Sequence, residues 1–283
     1  MQRWPQRYHP HANIKIRFLF LGLFVVFGCL IAHAATPLTE SVFTEIVNDA
    51  KVVTASSRAT APARTNELFK APDLVRTGPA SRVELTAADN TITRIGANTV
   101  FTFESSGRTI DLEKGSILFH SPPGKGGGTI KHSGASAAVL GTTILAAILT
   151  DGSFKVMVLE GRCQVTLHDG STLVLEAGQF VVIPPDENSF GRGILNFNIG
   201  QLVSRLLLIQ GFSNPLASLS KINDAIQEQN TTIANGGGGP FAPFNVAAEG
   251  FDLTGGNLPP TSNPDLFINF TLQPISPTKG TVP

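Results

Sequence analysis

Four glycine corners, Asp151-Gly152, Glu160-Gly161, Asp169-Gly170 and Ala177-Gly178, stand eight to nine residues apart in this chain. Between them lie SFKVMVL, RCQVTLH and STLVLE, each of strand length and each alternating with period two. Asp-Gly tolerates the positive φ that a tight hairpin needs, so each such corner has a mechanism. A similar rhythm runs upstream through Asp89-Asn90, Gly96, Gly107 and Gly115. Strands this short and this evenly punctuated imply an all-β fold, as a β-solenoid-like or sandwich stack or a barrel. Periodicity alone does not separate these arrangements.

The N-terminus reads as a leader. Arg3, Arg7, Lys15 and Arg17 precede an apolar run from Phe18 to Ile31, and Ala32-His33-Ala34 has the small-x-small pattern of a cleavage site. That run is shorter than the roughly 20 residues of a spanning helix. A signal peptide over 1–34 and a periplasmic or secreted product are therefore expected. The alternatives are an uncleaved N-terminal anchor and a lipoprotein signal at Val26-Phe27-Gly28-Cys29, where Phe27 is bulky for that motif. No later run is long enough to span a membrane.

Removing the four basic residues of the leader from the 21 Lys and Arg leaves 17 against 21 Asp and Glu, a net charge of −4. That balance disfavours nucleic acid as a partner. Trp4 and Tyr8, the one Trp and one Tyr, leave with the same segment. The remainder then lacks the usual stacking platforms for sugars or bases. Cys163 becomes unpaired once Cys29 is gone, and its place in an alternating run points to a buried thiol.

Three zones follow the leader. The strand-rich zone covers 38–185. Within it, Val42, Phe43, Ile46 and Val47 share one helical face after Thr39-Glu40, which predicts a short helix; the alternative is an edge strand leading into Lys51-Val52-Val53. The zone 195–230 switches to helical spacing, with Ile199, Leu202, Val203, Leu206 and Leu207, then Leu216, Leu219, Ile222 and Ile226. Gly211 is placed as a left-handed C-cap and Asn214-Pro215 as the next helix start. Such a helical hairpin either covers the β domain or self-associates with a second copy. The zone 231–283 is rich in Gly and Pro and is expected to be a flexible tail, with a local strand at Leu266 to Leu272.

From Arg76 onward the chain resembles the FecR-like domain family. The pieces are Arg76-Thr77-Gly78, Ser81-Arg82-Val83-Glu84-Leu85, Asp89, Thr93-Arg94-Ile95-Gly96-Ala97-Asn98-Thr99 and Leu112-Glu113-Lys114-Gly115 through Phe119. They continue with Ala138-Val139-Leu140-Gly141-Thr142-Thr143, Val158-Leu159-Glu160-Gly161 and Ala177-Gly178-Gln179, so the resemblance spans about 69–182. It implies an exported, all-β, non-enzymatic domain that engages another envelope protein. Membrane-bound members relay signals from an outer-membrane transporter to a cytoplasmic sigma factor. The 17 residues before the apolar run are too few for a folded regulatory domain, so sigma-factor control by this chain alone is not expected.

The motif residues also have a physical reading of their own. Gly78 and Gly96 permit corners that a Cβ would block, and Asn98 is suited to bonding backbone at a corner. Arg82 and Arg94 lie near Glu84 and Asp89 in an alternating run, and an Arg–carboxylate pair could clamp adjacent strands. The other reading is that these arginines face a partner.

No catalytic, cofactor-binding or metal-ligating set is readable. His120, His132 and His168 form no ligand-spaced pair, no Ser sits in a Gly-x-Ser-x-Gly elbow, and Cys163 has no activating signature. Gly124-Lys125-Gly126-Gly127-Gly128 lacks the upstream Gly, the following Ser or Thr and the helix of a phosphate loop. The function expected is a non-catalytic envelope interaction module, in signalling or scaffolding. The alternative is an exported ligand-binding or hydrolytic β-fold of cupin or jelly-roll type.

Overall fold

The computed structural model describes Gln2 and residues 36–105, 107–186 and 188–255. The expected leader and the strand at Leu266 to Leu272 lie outside the described residues. The first strands are β1 (Glu40–Val47), β2 (Ala50–Val53), β3 (Thr60–Pro62), β4 (Leu68–Lys70), β5 (Leu74–Thr77) and β6 (Arg82–Ala87). Next come β7 (Ile92–Ile95), β8 (Val100–Phe103), β9 (Thr109–His120), β10 (Gly128–His132), β11 (Ala135–Val139) and β12 (Thr143–Ile148). The last are β13 (Phe154–Glu160), β14 (Arg162–Thr166), β15 (Thr172–Glu176), β16 (Gln179–Ile183) and β17 (Leu195–Asn196). Helices α1 (Ile199–Val203), α2 (Leu207–Gln210), α3 (Leu219–Ala234) and α4 (Phe244–Ala248) follow.

The strands form two facing layers that share β9. One layer runs β4-β1-β6-β7-β9-β12-β13-β16-β17, antiparallel throughout. The other runs β3-β2-β5-β8-β9-β10-β11-β14-β15, antiparallel except for the parallel β9–β10 pair. The layers are not closed into a barrel. Strand β9 can serve both because it changes direction at Gly115, where φ is +86°. A Cβ there would stand 2.5 Å from Thr99 Cα, so both the turn and the close approach require glycine.

Period-two alternation explains the two cores. Ile117 and Phe119 of β9, Ile144 and Ala146 of β12, and Val156 and Val158 of β13 point between the layers. They meet Val75, Phe101, Phe103, Ile130, Cys163 and Val165 from the opposite sheet. The alternate residues Leu118, Leu145, Ala147, Met157, Leu159 and Phe180 form the outer face of the first layer. The helical segment covers that face with Phe197, Ile199, Leu202, Leu206, Leu208 and Ile222. Strand β13 is consequently buried along its whole length, which fits its nearly continuous apolar sequence.

Several expectations are changed by the tertiary structure. The segment around Val42 and Phe43 is strand β1, the edge-type alternative, held between β4 and β6. Its β-branched content suits a pleated surface, and Phe43 is buried in the inter-sheet core. The helical zone does cover the β domain, over a sheet face rather than an end. Its apolar stripe, including Leu216, Leu219, Ile222 and Ile226, packs on that face. The first expected helix is two short pieces, α1 and α2, and the second starts at Leu219 instead of Pro215 and runs to Ala234 as α3.

Gly211 follows α2 with φ −95°, outside the left-handed region. Its glycine is needed for space: a Cβ would lie 2.6 Å from the Leu207 carbonyl oxygen. The Gly- and Pro-rich zone is ordered further than its composition suggests. Helix α4 forms inside it, and Ala247, Ala248, Phe251 and Leu253 are buried against the outer face. The rest of that zone, from residue 256, lies outside the described residues. Among the described residues, no helix is long and apolar enough to cross a membrane.

Candidate functional site

The motif residues converge on the outer face of the covered sheet. Glu84, Arg94, Leu118, Leu145, Met157 and Phe180 stand directly opposite one another across six adjacent strands. Arg94 is fully buried, and its Nε donates to Glu84 Oε2 at 2.7 Å. Thr44 Oγ1 donates to the other Glu84 oxygen at 2.7 Å. The remaining guanidinium donors leave the sheet: Nη1 reaches the Leu208 and Ile209 carbonyls at 3.2 and 3.4 Å, and Nη2 reaches Asn214 O at 2.7 Å. Phe212 closes over the guanidinium, its ring centroid 4.3 Å from Cζ. Arg94 thus joins two strands and fastens the α2 segment to them. Arg82 adds a half-buried bond from Nε to Gly211 O at 3.2 Å.

Asp89 pairs with a residue that the sequence pattern did not single out. Arg108 Nη1 donates to Asp89 Oδ2 at 2.6 Å, and Nη2 donates to Thr91 Oγ1 at 2.7 Å. Arg108 also bonds the Gly127 and Thr36 carbonyls. Burial alone would raise the Asp89 carboxyl, but the hydrogen bonds from Thr91 and Arg108 outweigh it and hold the group below its ordinary value. In sequence Arg108 lies between Glu104 and Asp111, yet the acid it pairs with is Asp89, 19 residues upstream, so nothing local marks the pairing.

The other motif positions are corners. Gly78 N–H donates to Asp49 O at 2.9 Å, and Asn98 N–H donates to Gly78 O at 3.1 Å. Asn98 itself has φ +51°, a conformation that asparagine tolerates. Gly96 N–H donates to Ser116 O at 2.8 Å, and its carbonyl accepts from Thr77 Oγ1 at 2.6 Å. Gly141, Gly161 and Gly178 occupy turns of positive φ. Arg76 lies apart from this set, exposed on β5. Lys125 is exposed in its glycine loop, where its N–H donates to Pro122 O at 3.3 Å.

Two buried groups escaped the sequence reading. Lys155 of β13 is fully buried, and its Nζ donates to the carbonyls of Val246, Ala247 and Glu249 at 2.7, 2.8 and 3.1 Å. Three acceptors match the three donors of an ammonium, and the Phe180 and Phe251 rings flank it. Burial pushes the amine down to about 7, with the Glu249 carboxylate opposing. A charged residue inside an apolar alternating strand was the available signal.

The second is a polar cluster under α3. The Thr143 hydroxyl lies 3.0 Å from His120 Nδ1 and 2.7 Å from both Glu160 Oε1 and Ser218 Oγ. Burial, assisted by the Lys221 charge, pushes His120 down to about 4, so the ring is neutral near pH 7. Burial raises Glu160, against the Thr143 bond and Lys221. These residues are far apart in sequence, and only the register of β9, β12 and β13 makes them neighbours.

Beside this cluster lies a cleft of about 550 Å³ between α3 and the turns at Gly161 and Gly178. Glu160, Arg162, Glu176, Lys221, Asp224 and Glu228 line it, a mixed-charge wall. Among the described residues, no group of three or more His, Cys, Asp or Glu could hold a metal ion. Cys163 is buried in the inter-sheet core, and burial pushes its thiol up to about 12.

The geometry defines a class: a two-layered β domain with a helical cover, whose buried cations are bound to its own carboxylates and carbonyls. Residues 73–164 match the family model described as FecR protein. The match includes the Arg76 to Asn98 pieces, Gly115, Gly141 and Gly161, and ends before Ala177-Gly178-Gln179. Two crystal structures described provisionally as an anti-sigma factor from Parabacteroides distasonis are similar to this chain, each at 17% identity. One likeness covers 46% of this chain and 71% of that one, with a TM-score of 0.37. The other covers 53% and 74%, with a TM-score of 0.39. No curated protein matches the chain.

Proposed function

We propose that this chain is an exported, non-catalytic FecR-like interaction module of the cell envelope, acting in signalling or scaffolding through another envelope protein. The observation that carries the reading is the FecR match over residues 73–164. Two further features support it. The sequence begins with a basic stretch, an apolar run and a small-x-small site. The buried cations Arg94, Arg108 and Lys155 are turned onto the chain's own backbone and carboxylates, which suits a scaffold.

In vivo cross-linking in the native envelope, followed by mass spectrometry, tests this directly. Reproducible recovery of an envelope protein is the expected result. Recovery from the cytoplasm, with Trp4 still present in the purified protein, would overturn the exported reading. A second reading, ligand binding at the cleft, is favoured by the buried Glu160 in its wall. A ligand panel that leaves the melting curve unchanged would remove it.

A further inference from the structure

We infer that the exposed edge of β15 pairs with the β15 edge of a second copy, joining two open sheets about a twofold axis centred on Val174. Among the described residues, the outermost strands of the layers are β4 and β17, and β3 and β15. Three of these edges are blunted. Strand β3 contains Pro62, β4 carries the Lys70–Glu40 pair, and β17 is two residues long. Strand β15, TLVLE, has neither proline nor lysine; its one charged residue, Glu176, is neutralised by Arg162 of β14 at 2.9 Å, and Val174 is 50% exposed upon it.

The orientation of its backbone follows from the hairpin. Leu167 N–H donates to Ser171 O at 2.9 Å, which makes that pair hydrogen-bonded. Alternation along an antiparallel ladder then turns the N–H and C=O groups of Thr172, Val174 and Glu176 away from β14. Glu176 N–H agrees, because it points outward and is taken by Gln179 Oε1 at 2.9 Å. Thr172 and Val174 offer their groups to a further strand.

A second copy fits this edge by register and by charge. With the axis on Val174, that residue faces its own equivalent in a hydrogen-bonded pair. Leu173 then faces Leu175 of the other copy on the core side, and Thr172 faces Glu176 on the outer side. No like charges meet. Thr129, Ala138, Gln164 and Val174 already form an uncharged row across the outer face, and the axis would continue it into its mirror sequence.

Sedimentation of the protein, purified as its own cell produces it, tests the pairing together with cysteine cross-linking. The wild type should sediment as a dimer. Val174→Pro removes only the outward N–H and should give a monomer with an unchanged melting curve. Val174→Lys, which keeps the N–H but opposes two ammonium groups, should do the same. Under mild oxidation Val174→Cys should cross-link to itself, since hydrogen-bonded partners sit about 5.5 Å apart between Cα atoms. Thr172→Cys should not, because its equivalents would be roughly 13 Å apart. A monomeric wild type, a dimer indifferent to both Val174 substitutions, or equal cross-linking at 172 and 174 would overturn the inference. So would pairing of this edge with any strand other than its own equivalent. A hetero-partner recovered from the envelope is a separate readout and is unaffected by these outcomes.

Discussion

Arg94 and Lys155 stand on the same face of the same sheet, and each fastens a helical segment by its backbone carbonyls. Arg94 takes Leu208, Ile209 and Asn214, and Lys155 takes Val246, Ala247 and Glu249. Both side chains lie within the apolar layer between sheet and helices. There the carbonyls at the ends of α2 and α4 would otherwise be buried without donors. The cations therefore specify where the helical cover sits as well as helping to hold it.

Breaking the Arg94–Glu84 pair from one side should cost about 3–5 kcal/mol, because the survivor is left as a buried, uncompensated charge. Urea unfolding of Arg94→Met and Glu84→Leu measures each loss. The double substitution should be less destabilising than the sum of the two, and strict additivity would contradict the coupling.

Lys155→Met keeps the apolar stem and removes the three donors to the α4 segment. A loss of about 3 kcal/mol is expected from the orphaned carbonyls. Amide hydrogen exchange should show the segment around Val246 and Ala247 opening while β9 and β12 stay protected. Uniform loss of protection would show that Lys155 supports the whole domain instead.

His120 makes stability depend on pH. The unfolded ring takes up a proton near its ordinary value of 6.5, whereas the folded ring does so only at about 4. Between those values the unfolded state binds more protons, so stability present above pH 6.5 is lost as the pH falls, by roughly 3 kcal/mol in all. Glu160 acts in the opposite sense, since its raised folded value favours the folded state as protons are added. Urea melts from about pH 4 to pH 7 should show a flatter dependence for His120→Gln and a steeper one for Glu160→Gln.

Gly115 and Gly170 separate conformation from space. Their φ angles are +86° and +85°, yet a Cβ at Gly170 meets nothing within 4 Å and one at Gly115 meets Thr99. Gly170→Ala should cost about 1–2 kcal/mol for the left-handed backbone alone. Gly115→Ala should cost about 2–5 kcal/mol, because the crowding is added. Equal thermal shifts for the two variants would argue against the close approach at the β9 bend.

The Cys163 thiol, buried and pushed up to about 12, should be inert to an aromatic disulfide reagent in the folded protein. Peptide mapping after labelling should find it modified only once denaturant is added. Labelling under native conditions would mean that β14 opens readily.

The strands from Ser153 to Glu176 were legible because alternation and glycine corners are local properties. Asp151-Gly152 and Asp169-Gly170 do close hairpins between sequence neighbours, whereas Gly161 and Gly178 pass the chain from one layer to the other. The clamp between Glu84 and Arg94 was legible for the same reason, since β6 and β7 are joined by a short turn. The segment at Val42 was ambiguous, because its apolar residues satisfy a helical face and a strand. Pairing with β4 and β6 decides it. The partners of Arg108, Lys155 and the His120 cluster were not legible, because they arrive from 17 to 94 residues away.

Short-range pattern thus determined that the chain is all-β, that its corners need glycine, and that a helical segment follows the strands. It did not determine what those helices cover. Tertiary structure decided that, together with the sharing of β9 between two sheets and the order that turns Lys155 toward α4. The physical reason is that alternation says which residues leave a strand on the same side, whereas the identity of what waits on that side depends on contacts whose closure the local sequence does not encode.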